Sequence, residues 1–93
     1  MTYEWDERKR ATNLEKHGLD LAEAWKVFEA PVKITFRAPH TESSEDRWLD
    51  IAEVAGSVLV LVYTIRGESV RTISYRHAKR KERRAFDAAL KNR

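Results

Sequence analysis

The 93-residue chain contains no cysteine. That removes disulfides, thiolate nucleophiles and cysteine-ligated zinc, so any chemistry has to come from His, Lys, Arg, Tyr, Ser or carboxylates. Only three glycines are present, none in a Gly-rich phosphate loop, which excludes nucleotide hydrolysis of the P-loop kind. With two prolines and no Gly/Ser-rich stretch there is no linker, and no internal repeat, so residues 1–93 are expected to form one small domain. The longest apolar run, Val58 to Tyr63, is far too short to span a bilayer, and the start MTYEWDERKR lacks an apolar signal core. The expectation is a cytosolic chain with no membrane partner. His17, His40 and His77 lie more than twenty residues apart without an H-x-x-x-H pair, so neither a metal nor another cofactor is expected. No Ser sits in a nucleophile-elbow sequence, which argues against a Ser-His-Asp site.

What the chain has instead is an uneven distribution of positive charge. Arg66 to Arg84, RGESVRTISYRHAKRKERR, holds eight Lys/Arg against Glu68 and Glu82, a net +6, while the remainder is −3. Positive charge is thus placed in one strand-like run and the helix after it. That asymmetry points to a polyanion, nucleic acid first; the bland alternative is a solvated basic helix face.

The apolar periodicity predicts an α+β chain in the order β-α-α-β-β-β-β-α. Tyr3 and Trp5 alternate as in a very short strand, Asp6 is placed to cap the helix ERKRATNLEKH, and Gly18 to end it. Asp20 and Glu23 have capping-box spacing, and Leu21, Ala24, Trp25 and Phe28 follow helical spacing, which predicts a helix of about ten residues before Pro31. Val32, Ile34 and Phe36 then alternate as a half-buried strand. After the loop APHTESSEDR come a strand from Trp48 to Val54, a turn at Gly56-Ser57, the doubly buried run VLVLVYTI, a turn at Arg66 to Ser69, and a last strand from Val70 to Arg76. Such short connections make these three strands an antiparallel meander. A final helix from about Ala78 to Leu90 should pack Phe86 and Leu90 on the sheet. Trp5 and Trp25 read as core rather than base-stacking platforms, and Trp48, at a loop-strand border, fits either.

The chemistry compatible with this inventory is cleavage of RNA, whose 2′-hydroxyl already lies beside the phosphate. An enzyme then has to orient it, take its proton and stabilise charge developing on phosphorus. Arginine suits the last task because its planar fork holds two phosphate oxygens and stays charged. Arg66, Arg71 and Arg76 lie in or beside the last hairpin. Arg71 and Arg76 differ in strand parity, so on a regular strand they face opposite ways unless a bulge intervenes. Arg76, where strand meets basic helix, is the better candidate, with Arg66 reaching in from the turn; each has a bland alternative as a surface ion-pair partner. Proton-transfer candidates are His17, His40, His77, Lys16 and Tyr75, although a helix C-terminus is by itself an electrostatic reason for His17.

The stretch YEWDERKRATNLEKHGLDLAEAWKVF resembles the opening of the BrnT family of toxins from type II toxin-antitoxin systems, which reads W-D, then K or R, N-x-x-K-H-G, and an E-A-x-x-x-F helix. His40, Glu45-Asp46-Arg47, VYTIRG and VRTISYRHAKRKERRAF are similar to the family's later motifs, including a T-x-R-G turn and R-I-I-S-A-R-x-A-x-x-x-E-R. The resemblance covers almost the whole chain. It implies a RelE-like fold, metal-independent RNA cleavage that inhibits translation, and neutralisation by a BrnA-like ribbon-helix-helix antitoxin in a hetero-oligomer, with operator DNA contacted only through that antitoxin. The matching positions are Lys16, His17, Arg47, Arg66, Arg71, Ser74, Arg76 and Glu82. Lys16, His17, Arg66, Arg71 and Arg76 are therefore the catalytic candidates, and His40, Arg47, Lys79, Arg80, Lys81, Arg83 and Arg84 the RNA-binding ones. Ile65 departs from the pattern where Glu is common, with Glu68 in the same turn as a possible substitute, and Tyr75 stands where Ala is common. Two other readings stay open: a non-catalytic nucleic-acid-binding or autoregulatory relative, and an interaction domain for an acidic protein.

Overall fold

A computed structural model describes residues 1–39 and 45–92. The order is β1 (Thr2–Glu4), α1 (Glu7–His17), a 3-10 turn (Leu21–Glu23), α2 (Trp25–Phe28), β2 (Ile34–Arg37), β3 (Trp48–Val54), β4 (Ser57–Arg66), β5 (Ser69–His77) and α3 (Arg80–Lys91). The five strands form one sheet in the order β1-β5-β4-β3-β2. β1 runs parallel to β5, and every other pairing is antiparallel. The α+β class and the order of elements are therefore those the periodicity predicts. Among the described residues no helix is long and apolar enough to cross a membrane.

Both ends of α1 follow their local chemistry. The Asp6 carboxylate accepts hydrogen bonds from the N–H groups of Arg8 (2.8 Å) and Lys9 (3.3 Å), and Gly18 closes the helix at φ 70°, donating to the Leu14 carbonyl. The expected ten-residue second helix is instead broken into the 3-10 turn and four residues of α2. Leu21, Ala24 and Val27, three apart, are the buried positions, and three residues per turn aligns them on one face. Burial thus overrides the 3.6-residue pattern, and Trp25 is left 42% exposed rather than in the core. Asp20 still caps, but it accepts from Ala22 N–H, and Glu23 turns outward to Lys26.

The β3–β4 turn is Ala55-Gly56, one residue earlier than expected, with φ 51° and 85°, as a type I′ hairpin turn requires. One sheet face carries Leu59, Leu61, Tyr63, Val70 and Tyr75, packed with Leu21, Ala24 and Val27. The opposite face carries Ile51 and Val60 under Phe86 of α3. Leu90, expected on the sheet, remains 37% exposed on the last turn of α3.

Asp50 is fully buried and hydrogen-bond donors close around it: Lys33 Nζ (2.7 Å), the Thr35 hydroxyl (2.7 Å) and the Tyr63 hydroxyl (3.1 Å) all donate to it. Lys33 also donates to the Phe28 carbonyl and lies over that ring, so one buried carboxylate ties β2, β3, β4 and the end of α2 together.

Candidate active site

Register decides which arginines share a face. In the β4–β5 ladder Val62 pairs with Ser74 but Tyr63 pairs with Thr72, leaving Ile73 as an extra, bulged residue. Arg71 therefore pairs with Thr64 and Arg76 with Val60, two β4 positions of the same parity. A regular strand would have set them on opposite faces; the bulge puts Arg71, Ser74 and Arg76 on one side, with Arg66 of β4 in the same phase. The two β5 arginines remain four β4 positions apart, roughly 13 Å at about 3.3 Å per residue.

Each of these arginines is already held. Arg76 makes a bidentate pair with Glu82 (2.8 and 2.9 Å) and donates to the His77 carbonyl. Arg66 binds Glu45 (2.8 and 3.3 Å), and both Arg66 (3.9 Å) and Arg71 (3.4 Å) approach Glu4. The hydrogen bond from Arg76, with its charge, holds Glu82 below the usual carboxylate range, and Arg66 does the same to Glu45. The Arg66 and Arg71 end is thus a network balanced by carboxylates.

The other end is different. β1 covers only Ser69 to Arg71 of β5, so the edge beyond lacks a strand partner, and α1 takes its place. Asn13, 7% exposed, accepts from Tyr75 N–H (3.1 Å) and donates to the Tyr75 carbonyl (2.7 Å) and the Leu19 carbonyl (2.8 Å). Its amide thereby completes the edge as a neighbouring strand would. Lys9, Lys16 and His17 are three or four residues along from Asn13, on the same face of α1, and Thr12, adjacent to Asn13, borders that face. With Ile73 and Ser74 they line a cleft of about 180 Å³ containing no carboxylate.

His17 sits at the C-terminus of α1, yet its pKa is lowered: burial acts first, followed by the charges of Lys16, Arg76 and His77. The imidazole is therefore neutral at neutral pH and able to accept a proton. Around it Lys9 and Lys16 line the cleft as cations suited to a phosphate, and the charge of Arg76, paired with Glu82, also acts on the imidazole. The structure thus brings Lys16 and His17 to Arg76 and Ser74, and leaves Arg66 and Arg71 at the far end of the hairpin with Ile65 and Glu68. His77 is exposed beside this cleft, and His40 lies outside the described residues.

Arg80, Lys81 and Arg84 are exposed, with no ion pair among the described residues, and Lys79 is exposed at the N-cap. Arg83 donates to the Ala78 carbonyl (2.8 Å). Cations at a helix N-terminus oppose the helix dipole, and Glu82 is the single acid in that turn, accepting from Lys79 N–H. Asn13 was not a candidate from sequence, although a polar stripe at helical spacing through Lys9, Asn13, Lys16 and His17 was there to be read.

No curated protein matches the chain. The family model described as ribonuclease toxin, BrnT, of type II toxin-antitoxin system matches residues 5–82, a span that includes α1, all of β5 and the start of α3. With that span covering most of its length, the chain belongs to the BrnT family of ribonuclease toxins of type II toxin-antitoxin systems.

Proposed function

We propose that the protein is a metal-independent endoribonuclease whose reaction centre is the cleft between α1 and the bulged edge of β5. The observation that carries this reading is the carboxylate-free cleft, in which a neutral His17 stands among Lys9, Lys16 and the Arg76 charge. His17 takes the proton of the 2′-hydroxyl as that oxygen attacks the neighbouring phosphorus. The bond from phosphorus to the 5′-oxygen breaks, and the leaving oxygen takes up a proton from His77 or water. The products are a 2′,3′-cyclic phosphate and a 5′-hydroxyl. Lys16 and Arg76 stabilise the added charge on the phosphoryl oxygens, a task that needs cations and no divalent ion, which the same cations would repel. Arg66, Arg71 and Arg47 contact flanking phosphates, and Lys79, Arg80, Lys81, Arg83 and Arg84 hold the RNA backbone. Ile65 and Glu68 lie away from the cleft, so the missing Glu costs this mechanism nothing.

As in other type II systems an antitoxin opposes the toxin; we infer a ribbon-helix-helix partner that binds as a hetero-oligomer and itself contacts operator DNA. The alternative, a relative that binds nucleic acid without cutting it, keeps the basic surface but needs no neutral imidazole in the cleft. The test is cleavage of RNA in excess chelator by the wild type and by His17→Gln and Lys16→Ala, with end-group analysis of the fragments. Cyclic phosphate ends that disappear in both folded variants support the reading. A strict requirement for a divalent ion, or 3′-hydroxyl ends, would overturn the mechanism, and a folded wild type that binds RNA without cutting it would favour the alternative.

A further inference from the structure

A second, larger cavity of about 390 Å³ lies behind the last turn of α1, between the 3-10 turn and the β3–β4 hairpin. It and the cleft share walls through successive residues: Asn13 and His17 face the cleft where Leu14 and Gly18 face the cavity, and Ser74 faces the cleft where Tyr75 faces the cavity. Leu14, Leu19, Val54 and Leu59 give it apolar walls. Tyr75 is only 2% exposed, yet its hydroxyl has no hydrogen-bond partner among the described residues, while its backbone is held by Asn13. No fully inaccessible side-chain polar atom among the described residues lacks a partner, so this hydroxyl opens onto the cavity. A hydroxyl open to the cavity and without a protein partner is free to exchange its water for a ligand group.

Glu23 supplies the second polar group. Both Glu23 and Tyr75 line the cavity, and after burial the Glu23 charge is the next cause that raises the Tyr75 pKa. Glu23 makes only an exposed contact to Lys26 at 3.3 Å, whereas Asp20 is committed to Arg10 through two hydrogen bonds. Lys26 also lines the cavity, but with Asp20 and Glu23 beside it the rim is not net positive, which disfavours phosphate and favours a neutral group that offers N–H donors. Apolar walls with the Glu23 carboxylate as acceptor and the Tyr75 hydroxyl match the edge of a nucleobase, guanine most fully: its N1–H and amino group reach an acceptor and its O6 a donor.

We propose that this cavity binds a guanine base of the RNA next to the scissile phosphate, with Tyr75 and Glu23 reading its edge. The assignment rests on the cleft being where the phosphate lies, and it concerns a position at which this chain departs from the R-I-I-S-A-R pattern.

The test uses short oligoribonucleotides carrying a 2′-deoxy residue at the cleavage position, with each of the four bases placed in turn on either side of it. Binding is followed by nuclear magnetic resonance of the full chain, and cleavage of the all-ribose versions is followed separately. A guanine preference of about tenfold at one position is expected, falling to near parity in Tyr75→Phe and in Glu23→Gln, while binding of the other bases is unchanged. Equal binding of all four bases, or a preference that survives both substitutions, overturns the inference even if RNA is cut. A guanine preference lost in both variants without cleavage upholds the pocket and refutes the catalytic reading instead. If Tyr75→Phe leaves the base preference intact but weakens a purified antitoxin, the cavity belongs to the protein partner and the inference fails.

Discussion

His17 has a pKa below its ordinary 6.5, so its neutral form, the one able to take a proton, is already dominant at neutral pH. The rate of RNA cleavage should therefore rise with pH along a limb centred below 6.5 and flatten above it. His17→Gln should lower kcat/KM by on the order of 10²–10⁴-fold and erase that limb; a limb that persists in the variant assigns the base elsewhere. Arg76 and Glu82 predict a stability effect. Their side chains are 17% and 19% exposed, so Glu82→Gln strands a mostly buried guanidinium. The cost should be about 2 kcal/mol in urea unfolding, less than the ~3–5 kcal/mol of a fully desolvated pair because some water remains. Glu82 has a folded pKa below its ordinary 4.5. The pair's contribution is thus complete above that unfolded value and is lost as pH falls through the lower folded one, a decline absent from Glu82→Gln.

The element that matters most is the junction of α1 with β5. Most helices meet a sheet through an apolar stripe, but α1 turns a polar one, Lys9, Thr12, Asn13, Lys16 and His17, toward a strand edge that β1 leaves uncovered. Asn13 makes this possible because one amide offers both a donor and an acceptor to the Tyr75 backbone. Asn13→Ala should leave those groups unpaired, at roughly 1–3 kcal/mol for each buried group. The expected loss in urea unfolding is about 2–4 kcal/mol, with Asn13→Asp no milder, because it keeps the acceptor but sets a carboxylate oxygen against the Tyr75 and Leu19 carbonyls. A loss below about 0.5 kcal/mol, the size of a surface substitution, would mean the junction does not depend on this amide. The bulge at Ile73 is the complementary device, since it brings Arg71 into phase with Arg76.

Across the whole molecule, the charge excess divides into two kinds. Arg66, Arg71 and Arg76 are matched by Glu45, Glu4 and Glu82, whereas Arg80, Lys81 and Arg84 on α3 are exposed, with no ion pair among the described residues. Unmatched cations release counterions when they meet phosphates, so oligoribonucleotide affinity should fall steeply with salt. Replacing Arg80, Lys81 and Arg84 together by Gln should flatten the slope of log K against log salt by about 2, at roughly 0.7 per phosphate contact. An unchanged slope would remove α3 from the RNA interface.

Local chemistry determined what the sequence alone made legible: the Asp6 cap and Gly18 stop of α1, the presence of the two hairpins, the meander, and the types of residue available for catalysis. Those features depend on side-chain and backbone preferences within a few residues. The family motifs likewise put Lys16, His17 and the three arginines on one roster. Only the tertiary structure decided which of them meet. Burial of Leu21, Ala24 and Val27 broke the second helix, the Ile73 bulge reversed the parity of Arg71, and Glu4 and Glu45 claimed Arg71 and Arg66 from distant parts of the chain, while Glu82 claimed Arg76 across the turn into α3. The same packing left His17 neutral beside Lys16 and opened the Tyr75 hydroxyl to a cavity, because pairing and desolvation are set by neighbours in space rather than by neighbours in sequence.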